Sequence, residues 1–268
     1  MSAPEGDIKV GLDERKGGIV ARLTIDNERK LNTLNSALTA SFVEEIEALG
    51  RVEGLRAVVL AGAGHKAFVG GADIGEMAVL DETTARAFIT KVHRCCDCLR
   101  RLDVLVIARI EGYALGAGME IAAACDLRIA AESAVFGMPE VRLGIPSVVE
   151  AALLPMLIGW GRTRQLLLLG ETISAGEAQE WGFVERVAPS SALDAAVAEW
   201  LDALLASPPG AIRLQKRLIR DWEALAPDAA VEAGVDAFVE AWRTDEPKLA
   251  MREFLAAKAA RKRGAGET

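Results

Sequence analysis

Gly112-Tyr-Ala-Leu-Gly-Ala-Gly-Met-Glu-Ile-Ala-Ala-Ala-Cys-Asp126 is the stretch on which the fold turns. It places small residues where a chain must turn tightly, then a helical run with one carboxylate, Glu120, in its first turn. Just upstream, Val104 to Ile110 is a short, nearly continuous apolar run rich in β-branched residues, the pattern of a strand buried on both faces. Strand, glycine loop and helix therefore follow in that order. Glycine lets backbone amides approach a ligand closely, and a helix start leaves amides without intrahelical partners, so such a place suits a developing negative charge. Two readings of Gly116 and Gly118 stand at this point: a ligand-facing loop, or close packing of a loop on a helix.

The same rhythm continues outward. Gly18 to Asp26 alternates as a strand, Asn27 to Lys30 turns the chain, and Asn35 to Leu49 carries Leu38, Phe42, Ile46 and Leu49 at helical spacing. Leu55 to Ala61 is a second buried strand, closed by Gly62 and Gly64. Lys66-Ala-Phe-Val-Gly-Gly-Ala-Asp-Ile-Gly-Glu-Met77 is a second place where glycines precede a helix, and a helix from about Glu82 to Arg101 leads into the strand at Val104. Beyond the opening stretch come a strand, Asp126 to Ala131, and an extended piece, Ala134 to Pro139, with Glu140 directly after it. Pro146 is expected to open a helical segment that Gly159 to Gly161 ends. Arg162 to Leu169 and Ser174 to Trp181 read as further helices, and Phe183 to Val187 as a last strand. This alternation is α/β architecture.

From Ser191 glycine thins out and no strand pattern remains. The chain is thus expected to divide into a catalytic core at 1–190 and a helical C-terminal region at 191–268. Ser207-Pro-Pro-Gly210 punctuates that region, two to three helices follow it, and Arg261-Lys-Arg263 forms a basic tail. Phe238, Trp242 and Phe254 either meet another subunit or fold back on their own core.

Composition narrows the function classes. The 268 residues, 51% hydrophobic and 26% charged, are those of an ordinary globular protein with a sizeable core. A net charge of −8 argues against a nucleic-acid binder, so an anionic ligand must be held by local lysines, arginines or backbone amides. The four cysteines, Cys95, Cys96, Cys98 and Cys125, make no disulfide ladder. Cys95 and Cys98 with only His65 and His93 in the chain make a poor zinc site, so no metal is expected, and reduced thiols fit a cytoplasmic protein. Met1 to Lys9 lacks the basic start and apolar core of a signal peptide, and no apolar run reaches membrane-spanning length, so no membrane partner is expected.

Two carboxylates stand out. Glu120 lies in a first helical turn after Gly118, where a glutamate also complements the helix dipole, and Glu140 follows Pro139 at the exit of an extended segment, where a glutamate is commonly solvated. Both follow glycine or proline punctuation at strand ends, where open α/β sheets build sites. Two carboxyls flanking one water can activate it as a base and return a proton as an acid.

Together these motifs resemble the crotonase superfamily, the enoyl-CoA hydratase and isomerase family. Four stretches carry the likeness in order: Lys30-Leu-Asn-Thr-Leu34, Phe68 to Met77, Gly112 to Glu120 with Cys125-Asp126, and Phe136-Gly-Met-Pro-Glu140. The resemblance implies a spiral of ββα turns with a helical trimerising tail, hence a homotrimer or dimer of trimers. It further implies action on acyl groups carried as coenzyme A thioesters, as in fatty-acid metabolism, with coenzyme A part of the substrate and no further cofactor. Ala72 and Ala117 would supply the two amides of an oxyanion hole, each donor of this kind lowering a barrier by about 3 kcal/mol. Glu120 and Glu140 would match the two glutamates of the hydratases. Lys30, Leu31, Gly70, Asp73, Ile74, Phe254 and Lys258 would meet the substrate or its coenzyme A portion. Retention of both glutamates favours hydration over double-bond isomerisation, thioester hydrolysis or non-catalytic acyl-CoA binding.

The chain departs from the family pattern in three places. Ala117 stands where glycine is usual. Gly75 stands where a lysine often reaches toward phosphate, which shifts that task to Lys30, Lys66 or the C-terminal helices. After Pro146, Ser147-Val-Val-Glu-Ala151 replaces a glycine-rich run, so bulkier residues reshape the acyl pocket and Glu150 adds a carboxylate. Glu150 is either a first-turn dipole partner or a group facing the acyl chain.

Overall fold

Short apolar strands alternating with glycine turns wind into a two-sheet spiral in the computed structural model, which describes residues 6–264, with side chains described through residue 260. In chain order the first compact unit contains β1 (Asp7–Arg15), β2 (Gly18–Asp26), α1 (Ser36–Leu49), β3 (Leu55–Gly62), β4 (Ala67–Val69), α2 (Ile74–Met77) and α3 (Glu82–Arg101). It continues with β5 (Leu105–Ile110), β6 (Tyr113–Leu115), α4 (Ala117–Ala124), β7 (Leu127–Ala131) and β8 (Val135–Gly137). Two 3-10 turns, Glu140–Leu143 and Val149–Leu153, precede α5 (Leu154–Leu169), β9 (Thr172–Ser174), α6 (Ala175–Glu180), β10 (Arg186–Ala188) and α7 (Leu193–Leu205).

β1 and β2 pair as antiparallel neighbours in one sheet, and from β3 to β8 consecutive strands go to different sheets. One sheet runs β1-β2-β3-β5-β7-β10 and the other β4-β6-β8-β9. From β3 to β8 each turn of the spiral thus lays one strand in each sheet before its helix, the ββα repeat that the crotonase resemblance implies. Strands β2, β3, β5, β7 and β10 are parallel, and their central members read as nearly continuous apolar runs, each with one arginine, because both faces are covered. The core packs Phe42, Phe68, Phe136 and Phe183 with no exposed surface, the last two edge to face at 5.4 Å between ring centroids.

Buried polar groups fix the crossings. The Asp126 carboxylate accepts the Val106 N–H at 2.6 Å, tying the end of α4 to β5. Arg128, buried on β7, pairs with Glu185 and donates to the carbonyls of Phe183, Ala122 and Cys125. Asn32, also buried, donates to the carbonyls of Ala63 and Ala67 at 2.9 and 2.7 Å, which fastens the Lys30 to Leu34 loop to the start of β4.

Several boundaries differ from the sequence reading for physical reasons. Strand β1, whose Ile8, Val10 and Leu12 alternate, is an exposed edge strand that the sequence reading omits, and β4, β6 and β9 are too short for periodicity to mark. No helix opens at Pro146: residues 146–148 are irregular, Val149 has φ 41, and regular helix begins only at Leu154. The break expected at Gly159 is present, with φ 75 and ψ 160 inside α5. The last strand is Arg186–Ala188, since the Phe183 and Val184 amides donate to Ala178 O in the turn after α6.

Helix α7 packs into the first unit through buried Leu193, Val197 and Leu201, so the division between compact units falls after Leu204 and not after residue 190. The second unit contains α8 (Pro209–Trp222), α9 (Pro227–Ala241) and α10 (Glu246–Gly264). The Glu246 carboxylate caps α8 by accepting the Gly210 and Ala211 amides at 3.0 and 2.9 Å, and Arg217 pairs with Glu240 at 2.6 Å. Phe238, Trp242 and Phe254 are exposed. Residues 1–5, on which the signal-peptide reading partly rests, and the side chains of the Arg261 to Arg263 tail lie outside the described part. Among the described residues no helix is long and apolar enough to cross a membrane.

Candidate active site

Three neighbouring strands deliver the site. Strands β4, β6 and β8 lie side by side and parallel, pairing Val69 with Ala114 and Leu115 with Gly137, so their exits emerge at one edge of the small sheet. The chain leaves β4 through Gly70, Gly71 and Ala72, leaves β6 through Gly116 into α4, and leaves β8 through Pro139 into Glu140. Three stretches scattered over some seventy positions of sequence are thereby brought to one place.

Ala72 forms a parallel bridge with Leu34, and the bridging bonds run from Leu34 N–H to Gly71 O and from Asp73 N–H to Leu34 O at 2.9 and 2.8 Å. In that pattern the Ala72 N–H points away from Leu34. Ala117 opens α4, where the amide has no intrahelical acceptor. Neither amide donates to a backbone carbonyl among the described residues, and both residues line one cavity of about 120 Å³. Because Ala117 is helical, its side chain imposes no conformational penalty, so alanine serves where glycine is usual.

The two glycines around it have separate reasons. Gly116 has φ 52 and ψ −119, and a Cβ there would stand 2.3 Å from Glu140 Oε1. A Cβ on Gly118 would stand 2.0 Å from Val69 O, so Gly118 is the residue that lets α4 lie on β4. The two readings open in the sequence are therefore divided between them: Gly116 faces the site, and Gly118 packs.

Glu120 and Glu140 both line the cavity. Glu120 is 4% exposed; burial foremost, then the Glu140 charge, pushes its carboxyl up to about 8, with the Ala151 amide opposing and the Glu150 charge adding. Glu140 accepts the Ser147 hydroxyl at 2.7 Å through Oε2, while Oε1 lies over Gly116. The remaining wall is apolar: Ile74, Met77, Phe88, Val92, Leu143 and Val148 among others. Two carboxyls beside two free amides, in an apolar chamber, can polarise a carbonyl and handle one water.

The other residues singled out in the sequence fall as follows. Gly70 and Ile74 line the cavity. Leu31, at φ 55, accepts the Gly70 N–H through its carbonyl at 2.8 Å, and so braces the Ala72 strand. Asp73 caps α2 and pairs with Lys30 at 3.4 Å. Phe254 and Lys258 lie exposed on α10 in the second unit. The Cys95 and Cys98 thiols donate to the carbonyls of Thr39 and Cys95, and no group of three or more metal-ligating side chains occurs among the described residues. Glu150 does not line the cavity; its carboxylate is 2.8 Å from His93 Nδ1. Sequence reasoning missed Ser147 as a partner of Glu140, His93 as a partner of Glu150, and the α3 wall, whose Phe88 and Val92 are indistinguishable by spacing from core positions.

Known proteins supply the context. The enoyl-CoA hydratase/isomerase family model matches residues 14–261. The chain is 36% identical to the short-chain-enoyl-CoA hydratase of Clostridium acetobutylicum, over 90% of this chain and 92% of that one. It is 33% identical to the crotonyl-CoA hydratase of Syntrophomonas wolfei, over 88% and 91%. The crystal structure of an enoyl-CoA hydratase from Bacillus anthracis superposes with a TM-score of 0.88 at 32% identity, covering 93% of this chain and 96% of that one. With near-complete coverage by sequence and by structure, the chain belongs to the enoyl-CoA hydratase/isomerase family of the crotonase superfamily.

Proposed function

We propose that the protein is an enoyl-CoA hydratase that adds water reversibly across the double bond of a trans-2-enoyl-CoA thioester, with Glu120 and Glu140 as its catalytic pair. The observation that carries this reading is the convergence of two unpaired amides and two carboxyls on one apolar cavity. The relatives named for short-chain-enoyl-CoA and crotonyl-CoA hydration support it.

The chemistry follows from the geometry. The thioester oxygen accepts hydrogen bonds from the Ala72 and Ala117 amides, which favours enolate character and leaves the β-carbon electron-poor. One carboxylate of the pair takes a proton from water as its oxygen bonds to the β-carbon, and the protonated partner delivers a proton to the α-carbon, so that the pair as a whole neither gains nor loses one. Burial and the neighbouring charge of Glu140 keep that proton on Glu120 in the resting site. The apolar walls hold the acyl chain. Lys30, Leu31, Gly70, Asp73 and Ile74 lie along the thioester and pantetheine portion.

The protein assembles as a homotrimer or dimer of trimers in this reading, supported by the exposed Phe238, Trp242 and Phe254; a sedimentation mass of one 28.5 kDa chain contradicts it. A cytoplasmic location is supported by four cysteines that form no disulfide. The test of the activity is incubation with crotonyl-CoA and a panel of longer and branched enoyl-CoAs in oxygen-18 water. Hydration bleaches the conjugated enoyl absorbance and places the label on the β-hydroxyl. Isomerisation incorporates no label, and hydrolysis places it in a free carboxylate; either result alone overturns the proposal.

A further inference from the structure

A second buried carboxyl lies behind Glu120, outside the cavity. Glu150 sits in the Val149–Leu153 turn and is 7% exposed. One of its oxygens meets His93 Nδ1 from α3 at 2.8 Å, and the other, Oε2, is buried with no hydrogen-bond partner among the described residues, the weakly donating Cys96 thiol being the group beside the carboxyl. An unsatisfied buried carboxylate oxygen is unfavourable, and such groups are rare enough to demand a reason. The residue before it adds to the cost: Val149, β-branched, is held at φ 41, a region such residues seldom enter. Strain of this kind persists where the surroundings over-determine the backbone, and it clusters at functional sites.

The turn bearing both features packs against α4 and α3. It carries Val148 into the cavity wall and sets the Ala151 amide against the Glu120 carboxyl. His93 is half exposed, so the clasp reaches from the surface of α3 to the back of the site. We propose that Glu150, clasped by His93, is a positioning residue for Glu120: the pair fixes the turn that shapes the cavity wall and orients the buried catalytic carboxyl. This rests on the hydratase reading.

The charges around Glu120 give the inference a second signature. Glu140 faces it from the turn after β8, Glu150 from the Val149–Leu153 turn, and Cys96 from α3, with His93 one helical turn away. The Cys96 thiol is raised well above its ordinary range, by burial first and then by the Glu150 and Glu120 charges and a side-chain hydrogen bond with Glu150, so it stays neutral beside the Glu150 carboxyl. Removing the Glu150 charge while keeping its shape therefore lowers the proton affinity of Glu120 without opening the clasp.

The experiment uses full-length His93→Ala, His93→Gln and Glu150→Gln, each checked for a native melting transition. Two readouts are taken: steady-state hydration of crotonyl-CoA, and isotope-edited infrared titration of the Glu120 carboxyl, assigned by its disappearance in Glu120→Gln. His93→Ala is expected to lower kcat about 10- to 100-fold with KM unchanged, and His93→Gln, which restores a donor, to recover most of it. Glu150→Gln is expected to move the Glu120 titration to lower pH. Wild-type kcat in His93→Ala together with an unmoved Glu120 titration in Glu150→Gln overturns the inference. A wild-type protein without hydratase activity refutes the hydratase reading instead, and the infrared titration then decides the role of Glu150 by itself. His93 is half exposed, so its variants keep the test open even where a change at buried Glu150 prevents folding.

Discussion

Glu120→Gln should stabilise the protein, and increasingly so as pH rises. The folded-state carboxyl is raised from its ordinary 4.5 to about 8, chiefly by burial. A group raised on folding contributes stability that is fully present below its unfolded value and lost as pH climbs through its folded value. At about 1.4 kcal/mol per pH unit, wild type forfeits on the order of 3 kcal/mol from this one group by pH 7, approaching about 5 kcal/mol in mild alkali. Glutamine keeps the shape and the capacity to donate a hydrogen bond but has nothing to ionise. Urea unfolding of both proteins at about pH 5 and about pH 8 isolates the effect, because every other titrating group is common to the two. The stability gap should widen toward alkali by a few kcal/mol, appearing as several degrees in Tm. A gap that stays constant over that range refutes the claim that burial keeps a proton on Glu120.

Two further perturbations probe the frame around the site. Gly116→Ala puts a Cβ 2.3 Å from Glu140 Oε1 at a backbone angle alanine disfavours, so hydratase turnover should fall by about 100-fold and stability by about 1–3 kcal/mol; wild-type kinetics contradict the placement of Glu140. Arg128→Ala strands Glu185 and the carbonyls of Phe183, Ala122 and Cys125, and should cost about 3–5 kcal/mol in urea unfolding; a loss under about 1 kcal/mol shows that the pair does not tie β7 to the turn after α6.

The legible parts of this molecule are those in which one local pattern dictates one structure. Val104 to Ile110 and Leu55 to Ala61 are nearly continuous apolar runs and form the central parallel strands, and the glycine stretches at Gly70 and Gly116 lie at strand exits as read. Strands β4, β6 and β9 escaped notice because each has three residues, too few for any period, and their existence depends on partners distant in sequence. The Pro146 segment misled because proline suits a first helical turn, whereas tertiary packing holds Val149 at positive φ and delays the helix to Leu154. Glu150 could not be placed from the sequence, since its partner His93 lies 57 positions away on a different helix. Ser147 was visible only as part of an unusual run; its hydroxyl bond to Glu140 depends on the path of the loop after Pro139.

The central claim is that Glu120 and Glu140 act as one unit on one water. The most direct test is crotonyl-CoA turnover by Glu120→Gln, by Glu140→Gln and by the double variant, with the affinity for a non-reactive saturated acyl-CoA measured beside it. Groups that act as a unit are non-additive. Each single change should therefore abolish most of kcat, the double should be no worse than the weaker single, and affinity should stay at the wild-type level. Full activity in either single variant, or losses in the double that multiply, contradicts the account.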